Sequence, residues 1–251
     1  MRSCEEICSI EDLHNTSGNP GTLIDACHIL ASQGHAINTA GQVSCRNEMG
    51  VGWWTTRLGS GFGEITSDDL LLIDDNMVVL EGNGKPNPAV RFHLWVYRNR
   101  PDIKAIVHTH PPAITAFSML GKPLPIAHMD SCMFYNDCGF LARWPGVPFG
   151  DEEGRLISEA LGELHAAILV NHGHICVGSS IEDTVYRAIS LEHAADAVLR
   201  AMAAGTIQEI DPDLAIEGRR VLMLPSIVND SFAYWTRLAK QKKFPYKNLA
   251  T

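Results

Sequence analysis

Apolar side chains recur at helical spacing through residues 22–33 (TLIDACHILASQ), and Gly34 follows as a natural stop. The same period predicts helices over 89–99, 112–120 and 151–162. Pro86 and Pro88 lead into the first of these, Pro101 ends it, and Pro112 occupies the first turn of the next. The strongest helix is expected over 181–204, apolar at Ile189, Ala194, Ala197, Val198 and Ala201 and closed by Gly205. Short apolar runs lie between. Residues 70–74 and 77–80 read as a hairpin around Asp75-Asn76, and 103–107 as a buried strand. Two more strands, 167–170 and 175–177, flank Asn171-His172-Gly173-His174. The glycine-rich stretch 50–63 reads as a long loop with one short strand, and residues 1–20 as a loose lead-in. There is no internal repeat and no Pro- or Ser-rich linker, so the pattern predicts one α/β domain over 1–251, a central sheet covered by helices.

Composition narrows the function classes. Of 251 residues 45% are hydrophobic and 20% charged, which is the balance of a folded globular chain. The net charge of −9 argues against a nucleic-acid partner, since the longest basic run is only Lys240-Gln241-Lys242-Lys243, a solvated helix end. No apolar run approaches the ~18 residues of a membrane span. The start, Met1-Arg2-Ser3-Cys4-Glu5-Glu6, lacks the apolar core of a signal peptide. The seven cysteines are scattered, odd in number and free of any CxxC pair, which excludes a zinc ribbon or thioredoxin-type site. The expectation is a reduced, cytoplasmic protein with mostly buried thiols.

Candidate chemistry resides in the histidines. His108-Thr109-His110 follows the strand at 103–107 and precedes Pro111-Pro112. Positions i and i+2 of an extended chain point the same way, so two imidazoles converge at the C-terminal edge of a strand. One histidine from the second cluster, His172-Gly173-His174, would complete a three-histidine site for a divalent metal, with coordination positions left for a substrate oxygen. Read without that second cluster, the pair serves equally as hydrogen-bonded core histidines.

Four separated segments then agree in order. They are Gly41-Gln42-Val43-Ser44-Cys45-Arg46, Thr66-Ser67-Asp68-Asp69-Leu70-Leu71-Leu72-Ile73-Asp74, the run from Phe92 through Arg100-Pro101-Asp102 to His108-Thr109-His110, and Val170-Asn171-His172-Gly173. Together they resemble the class II aldolase/adducin family, the group of ribulose-phosphate epimerases and fuculose- or rhamnulose-phosphate aldolases, over about residues 22–205. The resemblance implies a three-layer α/β/α domain with a mainly antiparallel sheet. It also implies a homotetramer with sites between subunits, the extension 206–251 packing on a neighbour. By the same resemblance His108, His110 and His172 are metal ligands, for Zn or Mn, with Fe also open.

The departures point away from phosphosugars. The family's Ser-Ser-Glu run, which holds substrate phosphate and supplies an acid/base, is matched here by Asn87-Pro88-Ala89. Alanine neither binds metal nor moves a proton. The implied branch keeps the metal and acts on other carboxylates, as a pyridine-dicarboxylate decarboxylase and the oxygenase-like enzymes of aminocoumarin biosynthesis do. The expectation is a metal-dependent lyase that cleaves a C–C bond in a non-phosphorylated hydroxy- or keto-carboxylate. The alternatives are an Fe(II) oxygenase on the same histidines and a non-catalytic adducin-like interaction domain. For the remaining roles the candidates are His128 as acid/base, near where the aldolases place a proton-donating tyrosine, with Gln42 and Arg91 as substrate-binding residues. Arg57 is a second carboxylate grip. His174 is a possible fourth ligand, and His93 a packing or supporting residue. Tyr135, Trp144, Trp53 and Trp54 are candidates for an aromatic pocket, or for core packing or a subunit interface.

Overall fold

The computed structural model describes residues 19–146 and 151–241. Most of the lead-in, Cys4, Cys8, Lys242 and Lys243 lie outside them. In chain order the elements are α1 (Pro20–Ser32), β1 (Gln42–Arg46), β2 (Trp53–Thr56), β3 (Leu70–Ile73), β4 (Val79–Glu81), α2 (Val90–Asn99), β5 (Ala105–Thr109) and α3 (Pro112–Ser118). A 3₁₀ turn (Met129–Phe134) follows, then β6 (Cys138–Leu141), α4 (Asp151–Leu161), β7 (Ala166–Leu169), β8 (Gly173–Gly178), α5 (Ile181–Ala204), α6 (Pro212–Leu222) and α7 (Pro225–Lys240).

The strands form one sheet in the order β4-β3-β2-β1-β5-β8-β7-β6. Every pairing is antiparallel except β6 with β7. Alternation along β5 sorts its side chains into two cores. Ala105 and Val107 pack with α1, α3 and α5, whereas Ile106 packs with α2 and α4. Phe117 fills the first core and Phe92 the second, both fully buried, and truncating either to alanine would cost about 3–5 kcal/mol. The expected three-layer α/β/α architecture is therefore present.

Helix ends follow their caps. Asn19 Oδ1 accepts from Gly21 N–H at the start of α1, and Ser180 Oγ accepts from Asp183 N–H at the start of α5. Several boundaries differ from expectation, two of them with a clear local cause. The strand predicted over 103–107 runs instead from Ala105 to Thr109, because His108 and Thr109 pair with Ile175 and His174 of β8. The hairpin turn is longer than Asp75-Asn76. Asp74 Oδ1 accepts from the N–H groups of Asn76 and Val78, and Met77 takes φ 64, so β4 begins at Val79.

The segment after Gly205 forms α6 and α7, and both dock on their own chain. Ala215, Leu222, Val228 and Phe232 are buried in the first core. Leu214, Ile216, Val221 and Tyr234 of the same two helices, and Leu224 between them, are exposed. Of the described cysteines, Cys27, Cys45, Cys132 and Cys176 are buried and Cys138 partly so, all free thiols. No helix among the described residues is long and apolar enough to cross a membrane.

Candidate metal centre

His108 belongs to the last turn of pleat in β5 and points toward α2, where Phe92 meets its ring edge-on at 4.9 Å between centroids. Its Nδ1 lies 2.8 Å from the carbonyl of His174. A carbonyl only accepts, so Nδ1 carries the proton and Nε2 keeps the lone pair that a metal requires. His110 follows two residues later, just beyond the strand. Its Nε2 stands 2.9 Å from that of His108. Nitrogens sharing one tetrahedral metal lie about 3.4 Å apart, so a small ring rotation opens the pair to an ion.

His172 arrives from the turn between β7 and β8. Asn171 adopts φ 56 there, a left-handed conformation that asparagine tolerates better than other side chains. The three rings sit 4.6–4.8 Å apart by centroid, and one ligand nitrogen from each lies within 4.8 Å of the others. Asn171→Val should cost about 1–3 kcal/mol through backbone strain, while Asn171→Gly should melt with wild type. Thermal unfolding of the two variants checks this.

Burial keeps the triad neutral. Desolvation, then the neighbouring histidines, hold His108 well below the usual imidazole range. Burial lowers His110 as well, and burial followed by the His110 charge brings His172 to about 4. Three neutral imidazoles converging on one point suit a divalent cation, and this donor set fits one.

The remaining candidates divide. Gln42 is the cross-strand partner of His108 and shares its face. Its amide Nε2 is a donor to Thr55 Oγ1. Ser44↔Thr55 sets the register of β1 and β2, and continued two residues it puts Arg57 level with Gln42. Arg57 itself lies one residue beyond the end of β2. Arg57 Nε donates to Ser60 and lies 2.7 Å from Asp69, and the residue bridges to Pro86 beside Asn87-Pro88-Ala89. His93 supports the site from behind, with Nδ1 2.8 Å from Ser44 Oγ, and burial lowers its pKa to about 3.

Other residues are placed elsewhere. Arg91 is exposed on α2 and pairs with Asp151 of α4 at 3.5 Å, not with the triad. His174 lies on the opposite face of the sheet, where its Nε2 meets Thr109 Oγ1 and, through that hydroxyl, His35 Nδ1, each at 2.8 Å. It is therefore not a fourth ligand, and it acts on the site only through its carbonyl. His128 precedes the 3₁₀ turn and makes no described contact with the triad. The aromatic candidates do not gather: Trp53 stacks on Tyr97, Trp54 and Tyr135 pack on the first core, and Trp144 is exposed.

Sequence reasoning missed one group. Glu153 of α4 is 5% exposed, and its Oε1 lies 3.9 Å from His172 Nδ1. The signal was available: Glu153, Ile157 and Leu161 are spaced by four, which puts the carboxylate on the buried stripe of its helix.

A mainly antiparallel sheet between helical layers thus gathers three neutral histidines at the end of its central strand. The profile of one family, the Class II Aldolase and Adducin N-terminal domain, matches residues 21–199, and the chain belongs to that family. Among its relatives is Decarboxylase NovR of Streptomyces niveus, 31% identical over 172 residues, 67% of this chain and 64% of that protein. A 4-hydroxy-3-prenylphenylpyruvate oxygenase/4-hydroxy-3-prenylbenzoate synthase of Streptomyces roseochromogenus subsp. oscitans is 30% identical over 165 residues, 65% and 60% of the two chains. The match thus spans less than two thirds of either relative. Among solved structures, L-fuculose 1-phosphate aldolase from Glaciozyma antarctica PI12 superposes with a TM-score of 0.78 at 30% identity, covering 88% of this chain and 87% of that one.

Proposed function

We propose that this protein is a metal-dependent carbon–carbon lyase that cleaves a non-phosphorylated hydroxy- or keto-carboxylate, by retro-aldol reaction or decarboxylation. The observation that carries the reading is the cluster of three histidines, one ligand nitrogen from each within 4.8 Å of the others, in a chain whose segment 87–89 offers no serine hydroxyl. A planar guanidinium pairs with a carboxylate through two parallel hydrogen bonds, so Arg57, paired with Asp69 in this structure through Nε, would grip the substrate's charged end with its remaining N–H groups. Gln42, held by Thr55 on the sheet, adds a polar side chain across from His108. His108, His110 and His172 would hold the divalent metal, which supplies Lewis-acid polarisation of the substrate oxygen next to the breaking bond. Three neutral ligands cancel none of the metal's charge, and this favours an anionic chelating substrate over a neutral sugar. The decarboxylase among the relatives supports this chemistry.

The test is metal content of protein purified without a His-tag, followed by a screen of hydroxy- and keto-carboxylates for released carbon dioxide or aldehyde. One Zn or Mn per chain and turnover of a carboxylate are expected. Efficient cleavage of fuculose phosphate would overturn the reading. A second reading, oxygen chemistry with Fe(II) on the same histidines, is favoured by the relative named as an oxygenase. Iron in the purified protein with substrate-dependent oxygen uptake would select it.

Arg57→Lys keeps the charge and loses the fork. It should raise KM for the carboxylate at least ~10-fold with a smaller change in kcat, the signature of lost ground-state binding. Steady-state kinetics on the substrate from the screen would show it, and an unchanged KM would remove Arg57 from the site.

A further inference from the structure

We propose that Glu153 is the carboxylate that orients His172 for metal binding, accepting from its Nδ1–H so that Nε2 is the nitrogen left for the ion. The inference rests on the reading of His108, His110 and His172 as metal ligands and adds to it a residue from a different helix.

Three observations carry it. The Glu153 side chain is buried, yet neither carboxylate oxygen has a hydrogen-bond partner among the described residues. An unpaired buried carboxylate costs the fold several kcal/mol unless something compensates, so its retention calls for a partner. Next, the group it faces is His172 Nδ1, at 3.9 Å. That is too long for a hydrogen bond, but one side-chain rotation or one bridging water closes it. Finally, the helix is seated firmly. A Cβ on Gly154 would fall 2.4 Å from Trp95 Cδ1, so the backbone of α4 lies directly against α2 and cannot draw Glu153 away.

The arrangement completes a pattern within the site. His108 is already fixed by donation to a backbone carbonyl. His172 has no carbonyl in that position, and the carboxylate takes its place. Metal-bound histidines nearly always donate their second nitrogen to such an acceptor, and an anionic one also raises the basicity of the ligand.

The experiment measures Zn(II) and Co(II) affinity of wild type, Glu153→Gln and Glu153→Ala by competition with a chromophoric chelator, and the melting temperature of each metal-free protein. The two variants should bind metal roughly 10–100-fold more weakly, the range for loss of such a supporting carboxylate. The Co(II) absorption bands of the Gln variant should shift, and metal-free Gln variant should melt no lower than wild type. Affinities within twofold of wild type in both variants would overturn the proposal. So would a lower melting temperature with unchanged affinity, the signature of a carboxylate that only supports the start of α4. Wild type that binds neither metal would instead overturn the ligand reading itself, and this proposal with it.

Discussion

His108→Ala is expected to lose stoichiometric metal and with it at least ~100-fold of the metal affinity, more than supporting contacts typically contribute. The side chain is 2% exposed and anchored by its own hydrogen bond, so its ligand nitrogen is held in one position. The variant should also lose stability. It removes the hydrogen bond to the His174 carbonyl, worth about 0.5–1.5 kcal/mol, and opens a cavity against Phe92. His110→Ala separates the two effects. His110 is only partly buried and has no bond to the backbone of β8, so its loss should abolish metal binding with little change in melting temperature. Metal per chain by mass spectrometry and thermal melts of both variants check the pair. Full occupancy in either would refute the ligand assignment.

The fold was readable where periodicity was strong. The helix at 181–204 spans the same residues in sequence and structure, because Ser180 and Gly205 are local signals that act independently of tertiary contacts. β6 left no such trace. Cys138–Leu141 is four residues long with a glycine inside, and it is held by parallel pairing to β7, a long-range contact that no local pattern encodes. The end of β5 was misplaced for a similar reason. Pro111 suggested an early stop, but partners on both sides, Gln42 of β1 and Ile175 of β8, extend the strand through His108.

The site was readable only as far as strand alternation holds. His108 and His110 obey the i, i+2 rule because the chain stays nearly extended between them. The same rule failed for His172 and His174. β8 starts at Gly173, Asn171 is left-handed, and His172 therefore sits on a turn while His174 follows the strand to the other face. Arg91 lies away from the triad for a helical reason. Arg91 and Arg98 are seven apart on α2, on the stripe that faces outward, while Val90, Phe92, His93, Leu94 and Tyr97 face the core. Arg57 follows β2 and is held by Asp69 and Ser60, contacts that no local sequence pattern encodes.

The residue that joins the two halves of the triad is a glycine, and Gly173→Ala should be nearly as damaging as losing a ligand. A Cβ at this position would lie 2.5 Å from the Thr109 carbonyl oxygen and 2.8 Å from His110 Cδ2. The first contact is with backbone, so β5 and β8 must separate at the end where His108 donates to His174. The second is with a ligand ring, so His110 must turn away from His108. Overpacking of this kind costs about 1–3 kcal/mol, and for a chain of this size each kcal/mol lowers the melting temperature by about 2–4 °C. The metal should suffer more than the fold, because coordination tolerates far less displacement than a packed core does, and metal affinity should fall at least ~100-fold, beyond what a supporting residue contributes. Gly205→Ala is the control: an added Cβ there meets nothing within 4 Å, and its φ of 169 is extended backbone that alanine adopts freely. Chelator competition and thermal melts on both variants test the argument. Wild-type affinity in Gly173→Ala would mean that the sheet yields without moving His110, and that the close approach of β8 is not what holds the triad together.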